Sequence, residues 1–311
     1  MSLRSVFLFG ALAAAGFVSA ASASPGAEGE LRVRLDAPEL FVLGEQFVVA
    51  VELSAAGGDV ELEAWRLTPA SLDVDGKALS PRSDKHKLTL SGGDSIELHF
   101  DLGGRIDSRS KFSLSCEGAT SNPIEVLPLE PAPKELDMMS IPVEDLAKYR
   151  VYMRTNRGDM LHEMWPHLAP NHVRNFLDLS HTGFYDGVIF HRTGAGFMIQ
   201  GGDPTGTGTG SGPRELKAEF SREAHVRGVL SMARGGHSVD SASSQFFVMH
   251  GAAPGLDSQY SIFGKMLIGY DVLDAIVSAP GQVSPRDGTV RPYENQVIER
   301  AVVVLAIKEK K

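Results

Sequence analysis

Residues 190–204 read FHRTGAGFMIQGGDP, where one arginine and one glutamine stand among aromatic and aliphatic side chains and four glycines bend the chain around them. Residues 230–248, LSMARGGHSVDSASSQFFV, close in a similar way, with an amide followed by aromatics. If both stretches end in strands, Met198 and Gln200 share one face, as do Gln245 and Phe247, while Ile199, Phe246 and Val248 turn the other way into a core. Arg192 adds a planar donor fork to what is otherwise an apolar floor, a mixture that suits a neutral peptide better than an ion. The same pattern also arises when the aromatics are ordinary core residues and the glutamines lie on an exposed face, and residue types alone leave both readings open.

Three other groupings of reactive residue types fail on spacing. The run Gly206-Thr207-Gly208-Thr209-Gly210-Ser211-Gly212 looks like a phosphate loop, but it lacks the lysine of that motif and no apolar helical run follows, so it is expected to be a flexible glycine loop. His162-Glu163 with His167 resembles a zinc helix, yet the spacing is one residue too long and Pro166 would break the helix that must present both imidazoles. Asp240, Ser244 and His250 supply the types of a hydrolytic triad without a G-x-S-x-G elbow. No metal or cofactor is expected.

The elements that must position these residues fall in two regions. Residues 30–127 show short runs of alternating polarity, such as Leu31 to Leu35, Phe47 to Leu53, Val60 to Ala64, Lys87 to Leu90 and Ser95 to Leu102. Turn signals at Gly57-Gly58-Asp59, Asp75-Gly76 and Gly92-Gly93-Asp94 separate them. This predicts an immunoglobulin-like β-sandwich with Trp65 in its core, serving as a spacer or a protein-binding module. Residues 128–146 begin PLEPAPKE and have the composition of a semi-rigid linker. From residue 147 to 311 alternation resumes at Tyr149 to Asn156 and Met160 to Met164. Helical spacing follows at Pro170 to Leu179 and Tyr270 to Ser278, and an apolar strand at Ala301 to Ile307 closes the chain.

Composition bounds the function. The chain has 311 residues, enough for two domains with separate cores. Its formal charge is -9, and no block of Lys and Arg is dense enough to track a phosphate backbone, so nucleic acid is not an expected partner. Residues 1–23 carry Arg4, an apolar run through Val18 and small residues ending Ala21-Ser22-Ala23, the pattern of a secretory signal peptide cleaved near Ala23. A retained membrane anchor is the alternative. The protein is therefore expected outside the cytoplasm, periplasmic or extracellular, and its one cysteine, Cys116, leaves it without an internal disulfide.

The motifs Phe184-Tyr185-Asp186-Gly187, Phe190-His191-Arg192, Gly196-Phe197-Met198-Ile199-Gln200-Gly201-Gly202-Asp203, Leu230-Ser231-Met232-Ala233, Ser244-Gln245-Phe246-Phe247 and Phe263-Gly264-Lys265 stand in one order along the chain. On these residues the C-terminal half resembles a bacterial-like cyclophilin-type peptidyl-prolyl cis-trans isomerase. The resemblance implies an eight-stranded antiparallel β-barrel capped by two helices. It also implies acceleration of X-Pro rotation in exported proteins, with Arg192, Phe197 and Gln200 as catalytic residues. Substrate contacts are implied for His191, Met198, Ala233, Gln245, Phe247, Leu256 and Tyr260. A proline-binding chaperone or scaffold without catalysis is the alternative. Proline-containing segments of folding proteins are the implied partners, and the N-terminal sandwich has room for a protein partner of its own. Gly255 stands where animal cyclophilins carry a tryptophan that helps hold cyclosporin, and Tyr260 where a histidine is frequent, so cyclosporin is expected to bind weakly.

Overall fold

The computed structural model describes residues 29–45, 47–63, 72–74, 77–78, 87–101, 110–116 and 119–306. The expected signal peptide, Trp65 and the Asp75-Gly76 turn lie outside the described residues. The chain divides into two compact units, with the boundary between Glu130 and Pro131.

Among the described residues the N-terminal unit is built of strands. They are β1 (Glu30–Asp36), β2 (Leu40–Val42), β3 (Val48–Ala56), β4 (Val60–Glu63), β5 (Leu72–Val74), β6 (Lys77–Ala78), β7 (Lys87–Leu90), β8 (Ser95–Asp101), β9 (Ser110–Cys116), β10 (Ala119–Thr120) and β11 (Ile124–Leu129). One sheet has the order β1-β3-β8, a second the order β2-β11-β9-β5-β6 with β10 on β9, and β4 pairs β7. Strand β1 shows why the alternation predicts its place: Leu31, Val33 and Leu35 are buried while Glu30, Arg32, Arg34 and Asp36 are exposed. Phe41, Phe47, Val49, Val51, Leu53 and Val126 join those three residues in one core. Strand β11 runs through Pro128 and Leu129, so the expected linker starts inside a strand.

The C-terminal unit opens with a 3₁₀ turn at Met138–Ser140, followed by the single-turn α1 (Val143–Leu146). It continues through β12 (Tyr149–Thr155), β13 (Gly158–Met164), α2 (Pro170–His181), β14 (Arg192–Gly194), β15 (Met198–Gly201), β16 (Val229–Met232), β17 (Phe246–Met249), β18 (Ile262–Ile268), α3 (Tyr270–Val277), β19 (Gly281–Val283), β20 (Val290–Pro292) and β21 (Ile298–Leu305). Its strands run in the order β19-β20-β14-β15-β17-β16-β18-β13-β12-β21, with antiparallel pairing throughout. The eight strands from β14 to β21 along that path roll into a β-barrel, and the β19–β20 hairpin extends it beyond the predicted count. Closure comes just before β14, where Gly187 and Phe190 donate to the carbonyls of Ile298 and Gln296.

Inside lies a core of Val151, Met153, Met160, Met164, Phe176, Tyr185, Phe190, Ile199, Leu230, Phe246, Val248 and Phe263, among others. Phe176, Tyr185 and Phe246 pack with centroids 5.1–5.4 Å apart and rings tilted or edge-on, the arrangement their quadrupoles favour. Helix α2 starts with Pro170 at its first turn and has no side-chain cap of its own. Glu219 fills that role from a distant loop, accepting from the Asn171 and His172 amides and from His172 Nδ1 at 2.7 Å. Burial works to raise the Glu219 carboxyl, but these donors outweigh it and hold it below the usual range.

Two features depart from the linear reading. Ala132, Met138, Ile141 and Leu146 belong to the segment expected to be a linker, yet they are buried in the barrel core. Ala132 also donates to the Val303 carbonyl at 2.8 Å. Proline-rich composition gave no hint of this, because the contact is made by a few scattered apolar side chains, with Leu136 half-buried beside the four. His162, once weighed as a zinc ligand, lies on β13 with 0% exposure, and neither ring nitrogen has a hydrogen-bond partner. Burial alone pulls its pKa down to about 3.

Candidate active site

Strand register assembles the site. Arg192 on β14 lies opposite Gln200 on β15, and Gln200 lies opposite Phe247 on β17. Directly opposed residues share a face, so the three form a row across three strands, with Met198 beside it. Ile199, Phe246 and Val248 point to the other face and enter the barrel core. On the outer face Met198 and Phe247 gather with Val229, Met249 and Ile262 into a second apolar cluster, and Phe197, Ala233, Leu256 and Tyr260 pack on it.

This cluster forms the bottom of a cleft of about 160 Å³. Arg192, Phe197, Met198, Gln200 and Phe247 line it together with Ala233, Arg234, Leu256 and Tyr260. An apolar cavity of about 150 Å³ can take a benzene-sized ring, so the cleft has room for a pyrrolidine.

Arg192 crosses the cleft as a braced group. Its Nη1 donates to Gln200 Oε1 at 2.9 Å, its Nε to Thr289 Oγ1 at 3.1 Å and its Nη2 to Asp287 Oδ2 at 2.9 Å. The guanidinium carbon sits 5.8 Å from the Phe197 ring centroid. Asp287 is itself held, because the Thr289 hydroxyl and amide donate to Oδ1 at 2.7 and 3.2 Å. Those bonds, with Arg192 as a smaller contributor, keep the Asp287 carboxyl well below the usual carboxylate range.

A second chain of bonds reaches Arg192 from the opposite side. Gln200 Nε2 donates to Gln245 Oε1 at 2.9 Å, and Gln245 Nε2 donates to the carbonyls of Gly208 and Gly210 at 3.1 and 2.8 Å. The loop carrying these carbonyls is pinned, contrary to its expected flexibility, because Asp203 accepts from the amides of Thr205, Gly208 and Gly210 and from the Thr205 hydroxyl. Burial pushes the Asp203 carboxyl up, and the four donors more than offset it, leaving the group well below its ordinary pKa.

The aromatic floor is braced from beneath. Gly196 takes a left-handed φ of 71° in the turn before Phe197, a conformation that favours glycine, and its amide donates to His250 Nδ1 at 2.9 Å. His250 Nε2 therefore carries the proton and donates to Asp274 at 3.0 Å. Behind Phe247 the His225 ring stacks at 6.0 Å and 20°. Asp257 Oδ1 and Ser231 Oγ hold His225 at 2.9 and 3.1 Å, and burial keeps the imidazole below its ordinary pKa despite the carboxylate.

Most of the predicted residues meet here: Arg192, Phe197, Met198, Gln200, Ala233, Phe247, Leu256 and Tyr260 all line the cleft. Two do not. His191 is next to Arg192 in a strand-like segment, so its side chain takes the opposite face; it is 5% exposed and packs against the Gly208 loop. Gln245 stands one layer back and meets the cleft lining through its side-chain bond to Gln200 and its carbonyl, which accepts from the Ala233 amide at 2.9 Å. Conversely, Arg234, Asp287 and Thr289 were not singled out from the sequence. Asp287 and Thr289 are 95 and 97 positions from Arg192, and nothing local marks them.

Residues 150–303 match the model of the family described as cyclophilin type peptidyl-prolyl cis-trans isomerase/CLD. Peptidyl-prolyl cis-trans isomerase CYP18-1 of Arabidopsis thaliana is 42% identical over 159 residues, which cover 49% of this chain and 94% of that protein. The chain belongs to the cyclophilin family. A peptidyl-prolyl cis-trans isomerase-like 2 protein of Rhizopus delemar is 44% identical over 164 residues, 50% of this chain but 30% of that protein's length. The cyclophilin unit thus matches less than a third of this longer relative. A crystal structure of a Cryptosporidium parvum cyclophilin type isomerase, determined in the presence of the dipeptide ala-pro, has a TM-score of 0.46 with 34% identity, covering 51% of this chain and 99% of that one.

Proposed function

We propose that the cyclophilin unit accelerates cis-trans rotation about X-Pro bonds, with Arg192 donating to the proline nitrogen. The observation that carries this is the braced guanidinium lining a ring-sized cleft with an apolar floor. Rotation is opposed by amide resonance, a barrier of about 18–20 kcal/mol, and no covalent bond need break. In the twisted state the nitrogen lone pair leaves conjugation and becomes an acceptor. A donor aimed at it favours that state over the planar one.

Three side-chain acceptors fix the plane of Arg192, so the guanidinium needs little reorganisation as the bond turns. Phe197, Met198 and Phe247 grip the ring and exclude water, which strengthens the hydrogen bond. Gln200 faces the same space and can hold the carbonyl side of the peptide.

Cis-trans exchange rates of a proline peptide, measured by NMR with catalytic amounts of the full chain, test the proposal. Arg192→Ala is expected to lower kcat/KM by about 10²- to 10³-fold. Arg192→Lys should do little better, because an ammonium cannot reproduce the planar fork held by Gln200, Thr289 and Asp287. A near-parental rate in Arg192→Ala that melts like the parent would return the groove to passive proline binding, the chaperone or scaffold reading. We further propose that the clients are exported proteins, on the strength of the leader pattern in residues 1–23. Sequencing the N-terminus of the mature protein tests this, with cleavage after Ala23 expected. Sheet alternation around one core in the N-terminal unit supports an immunoglobulin-like sandwich acting as spacer or protein-binding module.

A further inference from the structure

The cleft carries two arginines in different electrostatic states. Arg192 is paired with Asp287 at 2.9 Å, which balances its charge. Arg234, on the loop after β16, has no ion pair among the described residues. Its guanidinium carbon lies 4.8 Å over the Tyr260 ring, its Nε donates to the Gln259 carbonyl at 3.2 Å and its Nη1 to the Gly235 carbonyl at 3.4 Å. These contacts fix the side chain in place without neutralising it, and Nη2 has no protein partner among the described residues. The mouth of the cleft therefore presents one oriented, uncompensated cation on a chain whose formal charge is -9.

We infer that the groove selects proline segments with an Asp or Glu one or two residues from the proline, and that Arg234 is the residue that reads it. This rests on the reading of the cleft as a proline site. Strand order separates the two arginines, with Arg192 on β14 and Arg234 following β16, and β15 and β17 in between. Phe247 on β17 marks the ring site, and Tyr260 bridges it to Arg234: the Phe247 and Tyr260 ring centroids are 5.7 Å apart and the guanidinium carbon is 4.8 Å from the Tyr260 centroid. One or two residues of extended peptide, at about 3.3–3.6 Å each, together with an acidic side chain, span that separation. A stacked guanidinium is weakly hydrated, offers paired donors and matches a carboxylate in shape. The apolar floor beside it lowers screening compared with open solvent. Arg192 is already paired with Asp287 and attracts an incoming carboxylate less, which sets the direction of the preference toward Arg234.

Peptide pairs that differ only in Glu against Gln, placed one or two residues before or after the proline, test the inference on the full chain. The readout is the ratio of kcat/KM for the two members of each pair, from NMR exchange. The ratio is expected to favour Glu by about two- to five-fold at one of these positions in low salt, and to fall toward one in 1 M salt. Arg234→Gln should bring the low-salt ratio to about one, Arg234→Glu should invert it, and Arg234→Lys should keep it above one. Because each ratio compares two peptides on the same protein, a change in folded fraction cancels. A parental ratio of one at every position, or a preference that survives in Arg234→Gln, overturns the inference. If no peptide is isomerised the proposed activity fails, and dissociation constants for the same pairs, from fluorescence anisotropy, test Arg234 separately against the same expected ratios.

Discussion

Replacing His162 with phenylalanine isolates the cost of a buried, unpaired polar side chain on β13. The imidazole is on the inner face of β13, is 0% exposed and leaves both nitrogens without a partner. Each unsatisfied buried polar group costs about 1–3 kcal/mol, so removing them returns stability of that order. A phenyl ring is somewhat larger, and a close-packed core takes back part of the gain. The pH dependence is free of that packing offset. With a folded pKa of about 3 against an ordinary value of 6.5, the unfolded chain binds a proton below pH 6.5 that the folded one refuses until near pH 3. Stability contributed by neutral His162 is therefore present above pH 6.5 and is lost as pH falls, at about 1.4 kcal/mol per unit. Between pH 7.5 and 4.5 the parent should lose roughly 3 kcal/mol that His162→Phe does not. Thermal or urea unfolding of the two proteins at both pH values gives the difference, worth about 2–4 °C in Tm per kcal/mol for a unit of this size. All other side chains are common to the two proteins, so their contributions cancel in the difference. Parallel losses in parent and variant would refute the assignment of His162 as a buried, unpaired imidazole.

A fragment of residues 131–311 should melt cooperatively and keep the activity of the full chain, while 140–311 loses buried Ala132 and Met138 and should be less stable by at least about 2 kcal/mol in urea unfolding. Gly255→Trp should tighten cyclosporin binding by isothermal calorimetry, since a Cβ there meets nothing within 4 Å and the indole can extend the rim beside Leu256; equal affinity in parent and variant would refute this. Phe247→Ala should lower both kcat/KM and Tm, the latter by about 3–5 kcal/mol of stability, because Phe247 is 5% exposed and packs on His225 and Tyr260. Phe197→Ala, half-buried at the cleft wall, should cost activity with a much smaller change in Tm, and a large loss of stability would contradict that placement.

Local pattern was enough for the parts of this molecule that local physics controls. Alternation in Leu31 to Leu35 and Met160 to Met164 placed strands, and Pro170 with Val173, Phe176 and Leu177 placed a helix, because burial on one face enforces a period of two or 3.6. The same rule separated Met198, Gln200 and Phe247 from Ile199, Phe246 and Val248 before any strand was paired. Ordered motifs carried the family and most of the cleft. Tertiary structure alone decided what lies around those residues. Asp287 and Thr289 reach Arg192 across nearly a hundred positions, Glu219 caps a helix 48 residues earlier, and Ala132 with Met138 turns an apparent linker into core. His191 lies outside the cleft lining although its neighbour Arg192 is in it, since successive residues of an extended segment take opposite faces. A side chain's periodicity records which way it faces; which partner completes its hydrogen bonds depends on loop closure over long separations, and no residue type along the chain encodes that distance.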